Sequence, residues 1–369
     1  MISSIQIEGY RGFQHFEMEG LGRLNLLVGT NNSGKTSVLE ALHLLTSRGD
    51  PMALWQLLWR RGERLPGERN PRHVTPELDV SHLFTGHEAH VGSNFTLSAK
   101  NETPERHVTF TIGELSQKKR EELLASGEAS PITSRLVLRI KGVPPAPVST
   151  LSLTRALGIS PDVFEAPPRR LRRRAGTEES PSQFITTESL DSDDLVSLWD
   201  KVALTPSENL VLRALQFLDH DIERIAAQSS AQAYFQTRGG FIIKRSGNEQ
   251  PIPIGSMGDG MWRMLAMAIA ITQCKGGVLL VDEIDTGLHY TVMSDMWRLI
   301  FGAAKDLDVQ VFATTHSFDC IHSLASVCLS DTDSANAVTL QRIEMGKRKA
   351  IPYSESEIRV AAEKNIEVR

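Results

Sequence analysis

The sequence predicts an α/β fold, a mixed sheet flanked by helices that carries an inserted antiparallel β-sheet and a helical region. Three observations predict it. Leu24–Val28 is an apolar run that stops at a glycine loop, and a stretch with helical spacing follows (Val38, Leu39, Leu42, Leu45). Gly277–Val281 and Val309–Ala313 are apolar without alternation, as strands buried on both faces of a parallel sheet are. Short runs with strand character (Asn94–Lys100, His107–Ile112, Arg135–Ile140, Val148–Leu153) indicate instead an antiparallel sheet.

The composition sets outer limits. A chain of 369 residues has room for about two to three domains. Its 40% hydrophobic and 23% charged residues are ordinary for a globular protein, and a net charge of -5 gives no global attraction to nucleic acid. No apolar run reaches membrane-span length. Met261–Thr272 is the longest, and it carries Arg263. The first residues enter a strand pattern with no signal-peptide core, so a cytoplasmic location is expected. Cys274, Cys320 and Cys328 lack metal-like spacing and are expected to be reduced and buried.

In chain order, residues 2–17 read as two short strands around Gly9-Tyr10-Arg11-Gly12, and Met52–Arg60 as a second apolar helix. Residues 64–76 read as a loop, and a charged helix-like stretch, Gly113–Ser126, interrupts the accessory strands. Arg169, Arg170, Arg172, Arg173 and Arg174 form a basic run followed by a Ser/Thr/Glu/Asp/Pro-rich stretch. Such a segment is either a solvated linker or a contact to nucleic-acid phosphates. Residues 190–218 suggest two helices, and 222–226 and 240–245 two strands. The expected organisation is an N-terminal lobe at 1–50, an inserted β-rich and helical region at 51–164, an Arg-rich flexible linker at 165–194, a helical lobe at 195–250 and a C-terminal lobe at 251–369.

Residues 29–36, Gly-Thr-Asn-Asn-Ser-Gly-Lys-Thr, match the phosphate-cradling pattern G-x-x-x-x-G-K-[ST] at every fixed position. Gly29 and Gly34 let the backbone curl so that successive N–H groups of Asn31, Asn32 and Ser33 can face one anion. The following helix, which includes Ser37, aims its positive end at the same anion. Lys35 is placed to reach β- and γ-phosphates, and the Thr36 hydroxyl to ligate Mg²⁺.

The second apolar run ends in Asp282-Glu283, at the strand end where open α/β sheets bind ligands. Beside a phosphate loop, Asp282 is expected to hold Mg²⁺ and Glu283 to polarise the attacking water as general base. Alone, the pair could equally cap the helix that follows. The third run leads to Thr314-Thr315-His316, and His316 at that strand end is placed to bond a γ-phosphate. Upstream, Gly255-Ser256-Met257-Gly258-Asp259-Gly260 leads into an apolar helix and forms a second candidate anion site. Two anion sites with one nucleotide are reconciled by a head-to-tail homodimer, or a higher assembly, in which each nucleotide is shared between two protomers.

Together these residues resemble the ABC-type ATPases: phosphate loop at 29–36, signature at Ser256, Gly258, Asp259 and Gly260, Asp282-Glu283, Asp285 in the loop after it, and switch residue His316. The signature departs from Leu-Ser-Gly-Gly-Gln at Met257 and Asp259. The resemblance implies ATP and Mg²⁺ as ligands, a dimer closed by ATP, and hydrolysis that reopens it. Gly9-Tyr10-Arg11-Gly12-Phe13 is similar to the Asn-Phe-Arg-Ser-Phe element of the SMC, RecF and OLD-like branch, which implies that Arg11 lies near the nucleotide. Thr286-Gly287-Leu288-His289 and the terminal Glu367-Val368-Arg369 are similar to OLD-family and AAA-type stand-alone ATPases of bacterial defence operons. A Q-loop is not legible; Gln56 is its one candidate. OLD proteins carry a Toprim nuclease domain after the ATPase. Here only Ser317–Arg369 follow His316, so the expected effector is a separate chain.

Three functions then compete. One is an ATP-hydrolysing switch that controls a separate effector, such as a Toprim-type nuclease, in anti-phage defence. Another is a RecF- or SMC-like repair ATPase that binds DNA directly. The third, a transporter subunit, is disfavoured by the length of chain between Lys35 and Ser256, and no membrane partner is expected.

Overall fold

The computed structural model describes residues 1–65, 76–101, 106–117, 135–142, 148–161, 181–228, 240–330 and 337–364. Its central sheet is built from the apolar runs. The strand order is β10 (Ser182–Ile185), β14 (Val278–Val281), β15 (Gln310–Thr314), β3 (Leu24–Val28), β16 (Val338–Arg342) and β17 (Ile351–Ser354). All neighbours are parallel except β16 and β17. Every residue of β3, β14 and β15 is buried, because side chains alternate between two covered faces. Leu24, Leu26, Leu279, Val281, Val311 and Ala313 enter one core, whereas Leu27, Val278, Leu280 and Phe312 enter the other.

The first core is covered by helices: α3 (Ser192–Trp199), α4 (Glu208–Gln216), α5 (Asp259–Thr272), α6 (Tyr290–Asp306), α7 (Phe318–Ser330) and α8 (Glu355–Glu363). A small sheet of β11 (Ile222–Ala227), β12 (Phe241–Arg245) and β13 (Ile252–Pro253) leads into α5. The second core holds α1 (Lys35–Thr46) between the central sheet and an antiparallel sheet. α1 is followed by α2 (Pro51–Arg61), which is closed at both ends by local chemistry. The Asp50 side chain accepts from Met52 N–H, Pro51 occupies the first turn, and Gly62 ends the helix at φ 65°.

The antiparallel sheet runs β2 (Phe13–Glu19), β1 (Ile2–Tyr10), β5 (Asn94–Asn101), β6 (Arg106–Glu114), β7 (Leu136–Gly142) and β8 (Ser149–Ser152). β4 (Leu78–Asp79) and β9 (Gly158–Ile159) pair beside it. The hairpin expected around Gly9–Gly12 is present, with Tyr10 opposite Phe13. Its outer partner is new: Ile5 pairs with Ala99 and Ile7 with Leu97. The inserted strands therefore extend the N-terminal hairpin instead of folding apart from it, because β1 has a free edge and an apolar face to cover.

A second difference concerns the flexible linker expected at 165–194. Ser182-Gln183-Phe184-Ile185 is the edge strand β10, in register with Val278–Val281. Four residues, two of them polar, carry too little periodicity to stand out from their Ser/Thr/Glu/Asp-rich surroundings. After His316 the described residues form two strands and two helices. The arginine run at 169–174, residues 66–75 of the early loop, residues 118–126 of the charged stretch and the terminal 367–369 lie outside the described residues. All three cysteines are buried and none is in a disulfide, and burial pushes the Cys274 thiol up to about 12. Among the described residues no helix is long and apolar enough to cross a membrane.

Candidate nucleotide site

The phosphate loop joins β3 to α1, and its two glycines are there for space. A Cβ on Gly29 would collide with the Ile343 carbonyl oxygen, and one on Gly34 (φ 100°) with the Phe13 ring. The hairpin thus braces the loop from the side. Asn32 is also left-handed, at φ 62°, and Thr30, Asn31 and Asn32 face solvent. Gly34 caps α1 without a side-chain hydrogen bond, so the first-turn amides of the helix lack intrahelical partners and are available to an anion. The Ser33 Oγ is buried without a hydrogen-bond partner. Lys35 is buried, and its Nζ donates to the Gly29 and Thr30 carbonyls at 2.8 and 2.9 Å. Burial lowers its pKa, while Asp282 and Glu283 act in the opposite direction. The loop is a cradle with one ammonium at its mouth, and a triphosphate fits it.

The carboxylates stand at the adjoining strand end. Thr36 Oγ1 lies 3.2 and 3.1 Å from the two Asp282 oxygens, so a hydroxyl and a carboxylate converge as hard oxygen donors. That donor set fits Mg²⁺. Thr314, at the end of β15, donates to Asp282 Oδ1 at 2.6 Å and accepts from the Glu283 amide at 2.7 Å. His316 Nδ1 lies 3.6 Å from Glu283 Oε1. Asp285 accepts from Thr315 Oγ1 at 2.6 Å. Glu283 itself is at φ 47°, a left-handed conformation that costs a non-glycine residue of order 1 kcal/mol.

Lys35, Thr36, Asp282, Glu283 and His316 are therefore brought together, with Asp285 tied in through Thr315. Ser37 is in the first turn of α1, where Arg61 donates to its Oγ at 3.4 Å. Arg11 is placed differently from what the resemblance implied. Its guanidinium is 4% exposed, 2.9 Å from Glu40 and 2.5 Å from Glu63. It is committed to two carboxylates, one on α1 and one just beyond α2. Gln56 is exposed on α2 and does not join the site. The strand beside Asp282 is β10, and the residue at its end is Thr186.

The signature segment stands apart. Ser256 closes a 3-10 turn, Gly258 (φ 89°, ψ 169°) caps α5, and Asp259 begins it. Ser256, Gly258 and Asp259 are exposed. Gly258 and Asp259 line an open cleft of about 540 Å³ with Leu218, Asp219, Met257, Gly287, His289 and neighbouring residues, none from the phosphate loop, and Ser256 lies just before it in the chain. Gly260 abuts the loop after Glu283, since a Cβ there would sit 2.7 Å from the Gly287 carbonyl oxygen.

Sequence reasoning missed Thr314 and Arg263. Thr314 is the sole polar residue that ends an apolar strand beside the acidic pair. Arg263 is the single charge inside a buried apolar helix, a signal read only as an argument against a membrane span.

The profile of the family described as "AAA domain, putative AbiEii toxin, Type IV TA system" matches residues 24–319. A Helicobacter pylori protein named ATP/GTP phosphatase is 21% identical over 381 residues, covering 95% of each chain. The DNA replication and repair protein RecF of Thioalkalivibrio sulfidiphilus is 40% identical over 47 residues, 13% of each chain. Among solved structures, an Smc head domain with an extended coiled coil, bound to the C-terminal domain of ScpA derived from Pyrococcus furiosus, is 12% identical, covers 99% of each chain and has a TM-score of 0.47. The family match takes in the phosphate loop, Asp282-Glu283 and His316 alike, and the chain belongs to this AAA-domain family of P-loop nucleoside triphosphatases.

Proposed function

We propose that the chain is an ATP-driven switch that binds Mg·ATP, closes into a dimer around two nucleotides, and controls a separate effector protein in antiviral defence. The observation that carries this reading is the convergence of Lys35, Thr36, Asp282, Glu283 and His316 at one end of the parallel strands. Lys35 and the loop amides hold the phosphates. Thr36 and Asp282 would hold Mg²⁺, which when bound would neutralise phosphate charge. Glu283 accepts the proton of the attacking water, and His316 beside it contacts the γ-phosphate. Asn31, Asn32, Ser33, Gly34 and Ser37 shape the cradle.

The separation of the signature cleft from the phosphate loop supports completion in trans, where Ser256, Gly258, Asp259 and Gly260 of one protomer close over the nucleotide of its partner, with Asp285 at the seam. The toxin-system description of the family supports a defence role, and the Helicobacter pylori relative supports triphosphate hydrolysis.

Lys35→Ala should abolish ATP binding, and Glu283→Gln should bind ATP but hydrolyse it at least about a hundredfold more slowly. Equilibrium binding of a fluorescent ATP analogue and phosphate release check both. Normal affinity in the first variant, or a normal rate in the second, overturns the assignment. Capture of a stoichiometric second protein by ATP-loaded Glu283→Gln from the native host supports the effector.

A second reading, a DNA-binding repair ATPase, draws on the short RecF similarity and on α2. There Trp59, 40% exposed, stacks on Trp55 at 6.0 Å, with the Arg64 guanidinium 4.1 Å from its ring centre. Aromatic and cationic groups so placed can stack an unpaired base. ATPase activity stimulated by DNA, with a steep salt dependence, would favour this reading.

A further inference from the structure

Arg263 lies in the second turn of α5, surrounded by Met261, Trp262, Met264, Leu265 and Ala266, all buried. It is itself 3% exposed. A guanidinium in such a place needs acceptors, and here they are all backbone carbonyls. Nη1 donates to Thr186 O, at the end of β10. Nη2 donates to Asp282 O at 2.5 Å and to Glu283 O at 3.0 Å. The Nε has no acceptor. Burial lowers the pKa to about 10, against the favourable fields of Asp282, Asp285 and Glu283, so the group stays charged at neutral pH.

A buried cation with an unspent donor and no direct carboxylate partner is a poor device for stability. Its geometry suits another purpose. Glu283 has a left-handed backbone, and both of its peptide groups are clamped. Thr314 Oγ1 takes the N–H at 2.7 Å, and the C=O accepts from Arg263 at 3.0 Å and from the Thr286 N–H of the same loop at 3.0 Å. Thr286 belongs to the same loop and moves with it, so Arg263 is what ties that C=O to a separate element; without it, relaxation toward the ordinary right-handed or extended region would swing the carboxylate away from His316 and the loop. The same helix begins at Gly258-Asp259-Gly260, and Gly260 already touches the Gly287 carbonyl in the loop after Glu283.

We infer that Arg263 is a positioning residue for hydrolysis: from the helix behind the signature segment it holds the backbone of Glu283, and so the carboxylate, in attack geometry. The inference rests on Glu283 being the general base. Arg263 is buried and spends its donors on backbone carbonyls, so its loss should act on turnover and not on binding. Lysine keeps the charge but offers no fork that could serve carbonyls on two strands.

The test compares Arg263→Lys and Arg263→Ala with wild type for ATP affinity, kcat and response to added guanidinium chloride at a few millimolar. The expected result is a kcat lowered at least about tenfold in both, with ATP affinity within about twofold. Guanidinium should restore part of the turnover of Arg263→Ala and none of that of Glu283→Gln. A kcat within about twofold of wild type in both variants, a parallel loss of affinity and kcat, or a folded Arg263→Ala that ignores guanidinium would overturn the inference. If Arg263→Ala does not fold, the affinity-against-kcat split of Arg263→Lys decides. Glu283→Gln separates the two claims. A normal rate in that variant removes the base and the inference together, whereas an inactive Glu283→Gln beside a normal Arg263→Lys removes the inference alone.

Discussion

At the scale of single residues, the chemistry sits on groups whose neighbours are backbone atoms and hydroxyls. Thr314 joins Asp282 to Glu283 through one hydroxyl, which spends its proton on the carboxylate and its lone pair on the amide. Not every buried polar group has been matched so well. On α1, both ring nitrogens of His43 are buried without a hydrogen-bond partner, although part of the residue reaches the surface. The ring packs on Phe184 at 5.5 Å, and burial, helped by the Arg60 charge, lowers its pKa from 6.5 to about 4. The folded ring therefore stays neutral while the unfolded ring takes up a proton below 6.5. Stability from this group is complete above that pH and is lost as the pH falls towards 4. At pH 5 the loss should be about 2 kcal/mol, read as a lower urea midpoint, and His43→Leu should flatten that part of the pH profile. An unchanged slope in the variant would mean that other groups set it.

At the scale of elements, the parts of the fold that were legible in the sequence are those whose residues must be unusual. A loop that wraps a phosphate needs Gly29 and Gly34 where Ile343 and Phe13 leave no room for a Cβ. A strand covered on both faces is apolar along most of its length, so β3, β14 and β15 were plain. What could not be read were partnerships. Nothing in Ile5 and Ile7 says that Ala99 and Leu97 lie opposite, and four residues of β10 cannot announce an edge strand by pattern alone. Arg11 is a side chain whose partners no motif announces. Its neighbours are Glu40 on α1 and Glu63 just beyond α2, so it ties the hairpin to two helical elements. The side chains are buried (5% exposed for Arg11 and Glu40, 12% for Glu63), so removing the cation takes the partner from Glu63 and leaves Glu40 to Arg61 alone. Arg11→Met should cost about 3–5 kcal/mol of stability, seen in urea unfolding, while ATP affinity in the folded fraction stays near wild type. A selective loss of ATP affinity at unchanged stability would return Arg11 to the nucleotide.

At the scale of the whole molecule, the proposed function gives one chain two halves of a nucleotide site that do not meet within it. The phosphate loop and the carboxylates occupy one place, and the exposed Ser256–Gly260 segment borders a cleft that the loop does not line. Arg263 and the contact of Gly260 with Gly287 join the second half to the backbone of the first, so a ligand seated on α5 would be felt at Glu283 of the same chain. In a two-fold dimer that ligand is the nucleotide of the partner protomer. Complementation between two dead variants tests the arrangement. Lys35→Ala lacks a working phosphate loop but keeps its signature, and Ser256→Arg has the reverse defect. Each should be inactive alone. Mixed in equal amounts they should form heterodimers in about half of all pairings, each with one intact composite site, and so recover about a quarter of the wild-type sites. Recovered ATPase activity that rises and falls with mixing ratio, and peaks near equal amounts, is the expected result. If no ratio restores hydrolysis while both variants still dimerise, the two halves do not serve one nucleotide, and the signature segment must act on something other than the γ-phosphate of the partner.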